Sequence, residues 1–377
     1  MTLELYLLRR LIGGLVFACG GMALVAVPCV LVHAVHKVAG VGMAAVLGYV
    51  PILMLELAPY LLPLGFLLAV VSSYGRLAAD NEWTAMLMAG IHPLRLARPA
   101  LWVALVLSGG LYFLSTNVSP SLNYQKKNYG KNSAMQLLKS LNPGRTELRF
   151  GDFYLSALER DPDDRNLFRQ VFLHLPPSGE KPAQTIFAQA VQIVVDGSIL
   201  TVEMAEPRWA DERFDTRVGR ASAQYDLDEY FSTDAKNRAS WRFQTSAVLS
   251  ERLDHTRGLV ARDGEAALAG LSHSDGIIPF KDLRAAAYEL HSRSALLLVC
   301  PMFLLLGLPT GLVLRRGSQL AALAAAIAYA LAYYLISMRM GKVLANSAVV
   351  PEWAAAWGAT LLGTLIGVFF TWRALRR

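Results

Sequence analysis

Charged residues are scarce: they make up 17% of the 377-residue chain, against 54% hydrophobic residues, and mean hydropathy is +0.37. Soluble domains carry about 25% charge, so an ordinary water-soluble fold is excluded and a membrane protein is expected. Cysteine is scarcer still. Cys19, Cys29 and Cys300 all lie inside apolar segments, which leaves no disulfide framework and no zinc spacing and makes them inert core or lipid-facing residues. The common catalytic motifs are missing too: no Gly-rich phosphate loop ending in Gly-Lys-Ser/Thr, no His-Glu-x-x-His and no Gly-x-Ser-x-Gly. The chain therefore has no P-loop with which to split ATP, and no catalytic residue, metal or cofactor is expected. Any uphill work must draw on another subunit or on an ion gradient.

What the sequence does have is long apolar runs. About 20 apolar residues cross a bilayer, and six stretches meet or approach that: Leu11 to Ala34, Pro51 to Tyr74, Pro99 to Thr116, Ala295 to Leu314, Leu320 to Met338 and Trp353 to Trp372. The first is too long for a signal peptide and is expected to remain as an anchor. Three runs precede a long polar stretch and three follow it, so the expected divisions are 1–116, 117–288 and 289–377. Formal net charge is +7, but the arginines flank apolar runs without forming a basic stripe with aromatics, so nucleic acid is not an expected partner. Instead they orient the chain. Arg9, Arg10, Arg76, Arg95, Arg98, Arg315, Arg316, Arg373, Arg376 and Arg377 fall on one side, and only Lys37, Arg339 and Lys342 on the other. The positive-inside rule places both termini in the cytoplasm and residues 117–288 outside it.

Between the second and third runs, Arg76 to Pro99 reads as one exposed helix, with Asp80 as its cap, Glu82 in its first turn, and Gly90 and Pro93 as its end. Trp83, Met86, Leu87, Gly90, Ile91 and Leu94 recur at three- and four-residue steps, so one face is apolar. Such a face either docks on a partner or lies on the surface as a connector.

The insert alternates at period two over Glu147 to Leu155, Phe168 to Leu175, Thr185 to Val195 and Ile199 to Met204, with turns at Pro176-Pro177-Ser178-Gly179 and Asp196-Gly197-Ser198. A sandwich or jelly roll is expected, either closed or with an apolar inner groove. Ser246 to Leu271 reads as a helix or as an irregular return to the membrane. His33, His36 and Lys37 near the end of the first run, with Arg339 and Lys342 near the end of the fifth, could make a cationic rim for an anionic headgroup, or each could snorkel to the interface. Glu56, inside the second run, is a candidate proton site or a rim residue. Glu289, His291 and Arg293 read as an ion-paired segment just before the fourth run.

The order of short motifs resembles one family. Glu82-Trp83-Thr84-Ala85 with Gly90 and Pro99, Asn117 and Pro120, Phe150 to Leu158, Ala188 to Met204, Glu289-Leu290-His291-Ser292-Arg293, Leu308-Pro309-Thr310-Gly311 with Arg315-Arg316-Gly317, then Pro351 and Trp357 are similar to the lipopolysaccharide-export permeases, LptF and LptG. Gly75-Arg76-Leu77 before Glu82, and Glu289-Leu290-His291, look more like LptF. The resemblance implies six transmembrane helices in a 3+3 arrangement with an inserted periplasmic jellyroll-like β domain. It implies a permease subunit of an ABC transporter of the bacterial inner membrane that extracts lipopolysaccharide and passes it to a periplasmic jellyroll bridge. The implied partners are a dimeric LptB-like ATPase, a second LptG- or LptF-like permease subunit, an LptC-like bridge component and lipopolysaccharide itself. Glu82, Trp83, Met86, Leu87 and Gly90 would meet the ATPase, and His36, Lys37, Arg339 and Lys342 the lipid. The competing expectations are a proton-coupled secondary transporter using Glu56, and a scaffold that displays the β insert without transport.

Overall fold

The computed structural model describes residues 2–37, 43–126, 129, 147–150, 153–161, 167–175, 184–196, 199–211, 214–217, 219–226, 240–263, 277–314, 319–347 and 349–375. Among them are six helices long and apolar enough to cross a membrane: Leu3–Val35, Val46–Ala79, Pro93–Lys126, Phe280–Val313, Leu323–Asn346 and Glu352–Ala374. All six expected runs are present, and most reach further than hydropathy indicated. Polar turns stay helical once the apolar stretch has nucleated them, because propagation adds one hydrogen bond per residue fixed. Contacts divide the described chain into two compact units.

The first unit holds Met1–Val27, Met54–Leu122 and Ala239–Arg377. Its helices are α1 (Thr2–Lys37), α2 (Met43–Ala79), α3 (Glu82–Met88), α4 (Pro93–Phe113), α5 (Ser246–Asp263), α6 (Phe280–Ala295), α7 (Val299–Val313), α8 (Gln319–Tyr334), α9 (Gly341–Asn346) and α10 (Glu352–Leu375), with α1 and α2 each running on into the second unit. Ser246 onward is therefore helical up to Asp263, and residues 264–271 of that reading lie outside the described residues. The centre is α7. A Cβ added at Gly311 would stand 2.8 Å from the Val71 carbonyl oxygen and 3.1 Å from the Gly75 nitrogen, so the α2 and α7 backbones touch where neither carries a side chain. On the opposite flank, a Cβ at Gly367 of α10 would stand 2.8 Å from Leu305. Small residues allow this approach, and between apolar helices in lipid it is packing, not water exclusion, that holds them together.

Two helices are interrupted by π turns, Leu114–Val118 after α4 and Leu335–Met340 between α8 and α9. The second is pinned by tyrosines. Tyr288 donates to the Ser337 carbonyl inside it, and Tyr334 at its edge donates to the Tyr60 carbonyl at 2.8 Å. A π turn leaves carbonyls without their usual intrahelical partners, and a phenol from a neighbouring helix satisfies one here.

The second unit, Pro28–Leu53 with Asn123–Arg238, carries one antiparallel sheet. Its strands are β1 (Glu147–Phe150), β2 (Phe153–Arg160), β3 (Leu167–Leu175), β4 (Gln184–Asp196), β5 (Ile199–Ala205), β6 (Arg208–Asp211), β7 (Phe214–Arg217) and β8 (Arg220–Asp226). Neighbours follow the order β1-β2-β3-β4-β5-β8, with β6 beside β4 and β7 beside β6. The stretch read as one strand from Glu147 to Leu155 is a hairpin, with Phe150 facing Phe153. The other three strand readings hold to within a residue, while β6, β7 and β8 were not foreseen. The turn at Pro176 to Gly179 and the Gly197-Ser198 part of the Asp196-Gly197-Ser198 turn lie outside the described residues, as do residues 315–318.

A line of breaks crosses this sheet. Gln170 (φ 51) and Glu206 (φ 48) adopt the left-handed backbone that side chains rarely take. Gln170 lies opposite Gln189, in the gap between Arg169↔Ala190 and Val171↔Ala188. Gln189 lies opposite Glu206, in the gap between Ala190↔Ala205 and Phe187↔Arg208. The Glu206 amide donates to Gly219 at 3.0 Å, between β7 and β8. The breaks stand at one level in adjacent strands, and pairing resumes in the same alignment beyond them. Buried side chains change parity there. Phe168, Val191 and Met204 point into the core on one side, and Val171 and Ala188 on the other. Strict alternation would have sent one of these rows outward.

Candidate coupling site

The connection between α2 and α4 departs from the single helix expected over Arg76 to Pro99. It is three pieces. α2 ends at Ala79, α3 covers only Glu82–Met88, and α4 starts at Pro93. Asn81 takes a left-handed φ of 60° and makes no side-chain cap bond. Asp80 therefore does not cap the helix; it faces Arg10 instead. Gly90 and Pro93 act as expected. Gly90 sits at φ 81 while the Ile91 amide donates to Met86 O at 3.1 Å and the Gly90 amide to Leu87 O at 2.9 Å, closing α3 with a left-handed turn. His92 then caps α4 by accepting from the Leu94 amide at 3.3 Å, with Pro93 in the first turn, where its missing N–H costs nothing.

The elbow is fixed by burial on its inner side. Trp83 is buried with Tyr74, Leu77, Ala78 and Leu96, and its ring meets Tyr74 edge-on at 6.0 Å. Tyr74 donates to the Leu96 carbonyl at 2.9 Å, tying α2 to α4 across the connection. Met86 and Ile91 pack against the same cluster. The apolar face read from spacing is thus divided. Trp83, Met86 and Ile91 turn inward, while Leu87, Met88 (85% exposed) and Leu94 (58% exposed) turn outward with Gly90.

Glu82 lies at the edge between these faces, and its carboxylate is already engaged. Arg10 of α1 donates to it at 3.1 and 3.3 Å, and the Tyr6 hydroxyl donates to it at 2.9 Å. Arg10 also donates to Tyr6 at 2.8 Å and reaches Asp80 at 3.4 Å. Tyr6 and Arg10 are one helical turn apart, so both side chains leave α1 on one face. Sequence reasoning used Arg10 only for orientation and overlooked Tyr6. The available signal was a Tyr and an Arg four residues apart beside a short connection bearing two acids.

In the fifth spanning helix, Arg339 in the π turn and Lys342 in α9 are both exposed. His36 and Lys37 end α1 and belong to the second unit. Arg284 at 3.1 Å and Arg257 at 3.9 Å converge on Glu352, the first residue of α10. The segment expected just before the fourth run lies inside the Phe280–Val313 helix, and it is ion-paired as expected. Arg293 bonds Glu289 at 3.3 Å and donates to the Gln244 carbonyl at 2.9 Å. Glu56 lies half-buried within α2.

The family model for the lipopolysaccharide export system permease LptF/LptG matches residues 5–373. The chain belongs to the LptF/LptG family. It is therefore a lipopolysaccharide export permease, a multi-pass, non-catalytic transporter subunit, and the match spans both the helices and the sheet. The family as matched includes both permeases and does not separate them. No curated protein sequence matches the chain.

Proposed function

We propose that this LptF/LptG-family chain is the transmembrane subunit of an ABC-type exporter whose engine is a separate, LptB-like ATPase dimer docking on the α3 elbow. The observation that carries the reading is the elbow's construction. Its inner side is locked by Trp83 and Met86, and its outer side presents Leu87, Met88 and Leu94 beside the acidic pair Asp80 and Glu82. An exposed apolar edge next to carboxylates suits a partner with an apolar groove flanked by basic side chains. In this reading Glu82, Leu87 and Gly90 meet the ATPase, while Trp83 and Met86 hold them in position.

Both termini and the elbow face the cytoplasm of a bacterium, and the sheet faces the periplasm, in accord with the arginine distribution. A second permease, LptG- or LptF-like, completes the lipid path, and an LptC-like component receives lipopolysaccharide from it. The sheet acts as a jellyroll-like stage in the transfer, for which its apolar interior on both sides of the break line is suited. Arg339 and Lys342, and separately His36 and Lys37, supply cations to the anionic headgroup.

Glu82→Arg tests the reading. The variant is expected to insert and keep the elbow in place, because buried Trp83 with Met86 anchors it independently of the Glu82 contact to Arg10, and to lose the co-purifying ATPase. An ATPase retained at wild-type level by a folded variant would overturn it.

A further inference from the structure

The elbow has two kinds of tether, and they differ in how readily they let go. Trp83 and Met86 sit among buried apolar side chains, where no competitor reaches them. The polar tether is open to water. The side chains of Arg10, Glu82 and Asp80 are 23%, 38% and 59% exposed, and the Arg10 bonds to the two acids measure 3.1 to 3.4 Å, longer than the roughly 2.7–2.9 Å of a tight charge-assisted bond. One guanidinium serves two carboxylates. A second cation arriving from outside would therefore find acceptor sites that Arg10 fills only loosely.

Arg10 and Tyr6 also belong to the span with the least packing. Only 6% of the most apolar window of span 1 is buried within the chain. Beside Leu7 and Leu11, which join the elbow's apolar cluster, the bonds from Tyr6 and Arg10 fix the cytoplasmic end of that span.

We propose that Arg10 and Tyr6 are an exchangeable internal ligand of the elbow: a basic side chain of the cytosolic partner takes over the Glu82 carboxylate, and the release of Arg10 carries docking into span 1. Arg10 is thus a positioning residue, and its contact with Glu82 holds the resting state. The proposal rests on the reading of the elbow as the ATPase contact and adds the competition between partner and Arg10.

The test uses the full permease complex in lipid nanodiscs, titrated with its own ATPase subunit, comparing Arg10→Gln, Arg10→Lys, Tyr6→Phe and Glu82→Gln. Arg10→Gln removes the competitor, so the ATPase should bind about two- to fivefold more tightly, the equivalent of one partly exposed ion pair. ATP hydrolysis persists while lipid release per ATP falls. Arg10→Lys restores both values towards wild type, and Tyr6→Phe moves binding in the same direction as Arg10→Gln by less. A residue that merely props the elbow would do the reverse, weakening binding on removal. Unchanged or weaker binding in Arg10→Gln, with binding lost in Glu82→Gln, overturns the exchange while leaving the docking surface in place. Unchanged binding in Glu82→Gln overturns the docking reading and the exchange with it. If Arg10→Gln fails to fold, Tyr6→Phe decides by the same sign.

Discussion

Span 4 and span 1 are both long and strongly apolar, yet 61% of the core window of span 4 is buried within the chain against 6% for span 1. The contrast lies in where the glycines fall. Gly307 and Gly311 of span 4 stand against α2, and Gly363 and Gly367 of span 6 against span 4. In span 1 only Gly14 meets a neighbour, Ser73 at 3.1 Å, while a Cβ at Gly13, Gly20 or Gly21 would meet nothing within 4 Å. Apolar content therefore says that a helix lives in lipid. The position of its small residues says whether its companions come from the same chain. Span 1 meets α2 along one side, through Leu7, Leu11 and Gly14, and leaves Phe17 81% exposed with Val16, Leu24 and Val25 also open.

Truncation should break the comparison most sharply. Phe303, in span 4, is fully buried, and Phe303→Ala is expected to cost about 3 kcal/mol, since lipid does not refill the cavity. Phe17→Ala should stay within about 0.5 kcal/mol for the isolated chain. Reversible unfolding in mixed micelles reads both, and equal losses would erase the distinction. Next comes overpacking. Gly311→Ala forces a methyl against the Val71 carbonyl and should cost about 2 kcal/mol, while Gly13→Ala should leave the midpoint unchanged or slightly raised.

How much of this was legible in the sequence follows the same division. Six spans could be counted because a bilayer demands apolar length and nothing else in the chain supplies it. Gly90 and Pro93 ended α3 as expected because their backbone preferences are local. Asp80 was misassigned as a cap because its partner, Arg10, is 70 residues away in sequence, and spacing rules see only neighbours. Trp83 and Met86 belong to the periodic face, yet periodicity alone does not say which part of that face the chain keeps for itself. In the sheet, β3, β4 and β5 were found from alternation, whereas β6 and β7 have only four residues each and β8, as long as β5, alternates mainly through the small residues Ala221 and Ala223.

Two smaller effects sharpen the picture at the membrane edge. Glu352→Gln loses its charge pairing with Arg284 and Arg257 and should cost about 0.5 kcal/mol, shrinking further in high salt because the arginines are partly solvated. A loss that does not respond to salt would assign Glu352 a packing role instead. Tyr288→Phe removes the bond to the Ser337 carbonyl and should cost about 0.6 kcal/mol, the typical value for an interhelical hydrogen bond in lipid. The same unfolding assay detects it, and a larger loss would mean that the π turn collapses without its phenol.

The break line through Gln170, Gln189, Glu206 and Gly219 interrupts the ladders of adjacent strands at one level, which makes it the natural crease of the sheet. Amide protons bordering that line should trade with deuterium ahead of those in the middle of either half, because opening there sacrifices the fewest ladder bonds. A small change of angle between the two halves would then leave every strand with its pairing partner.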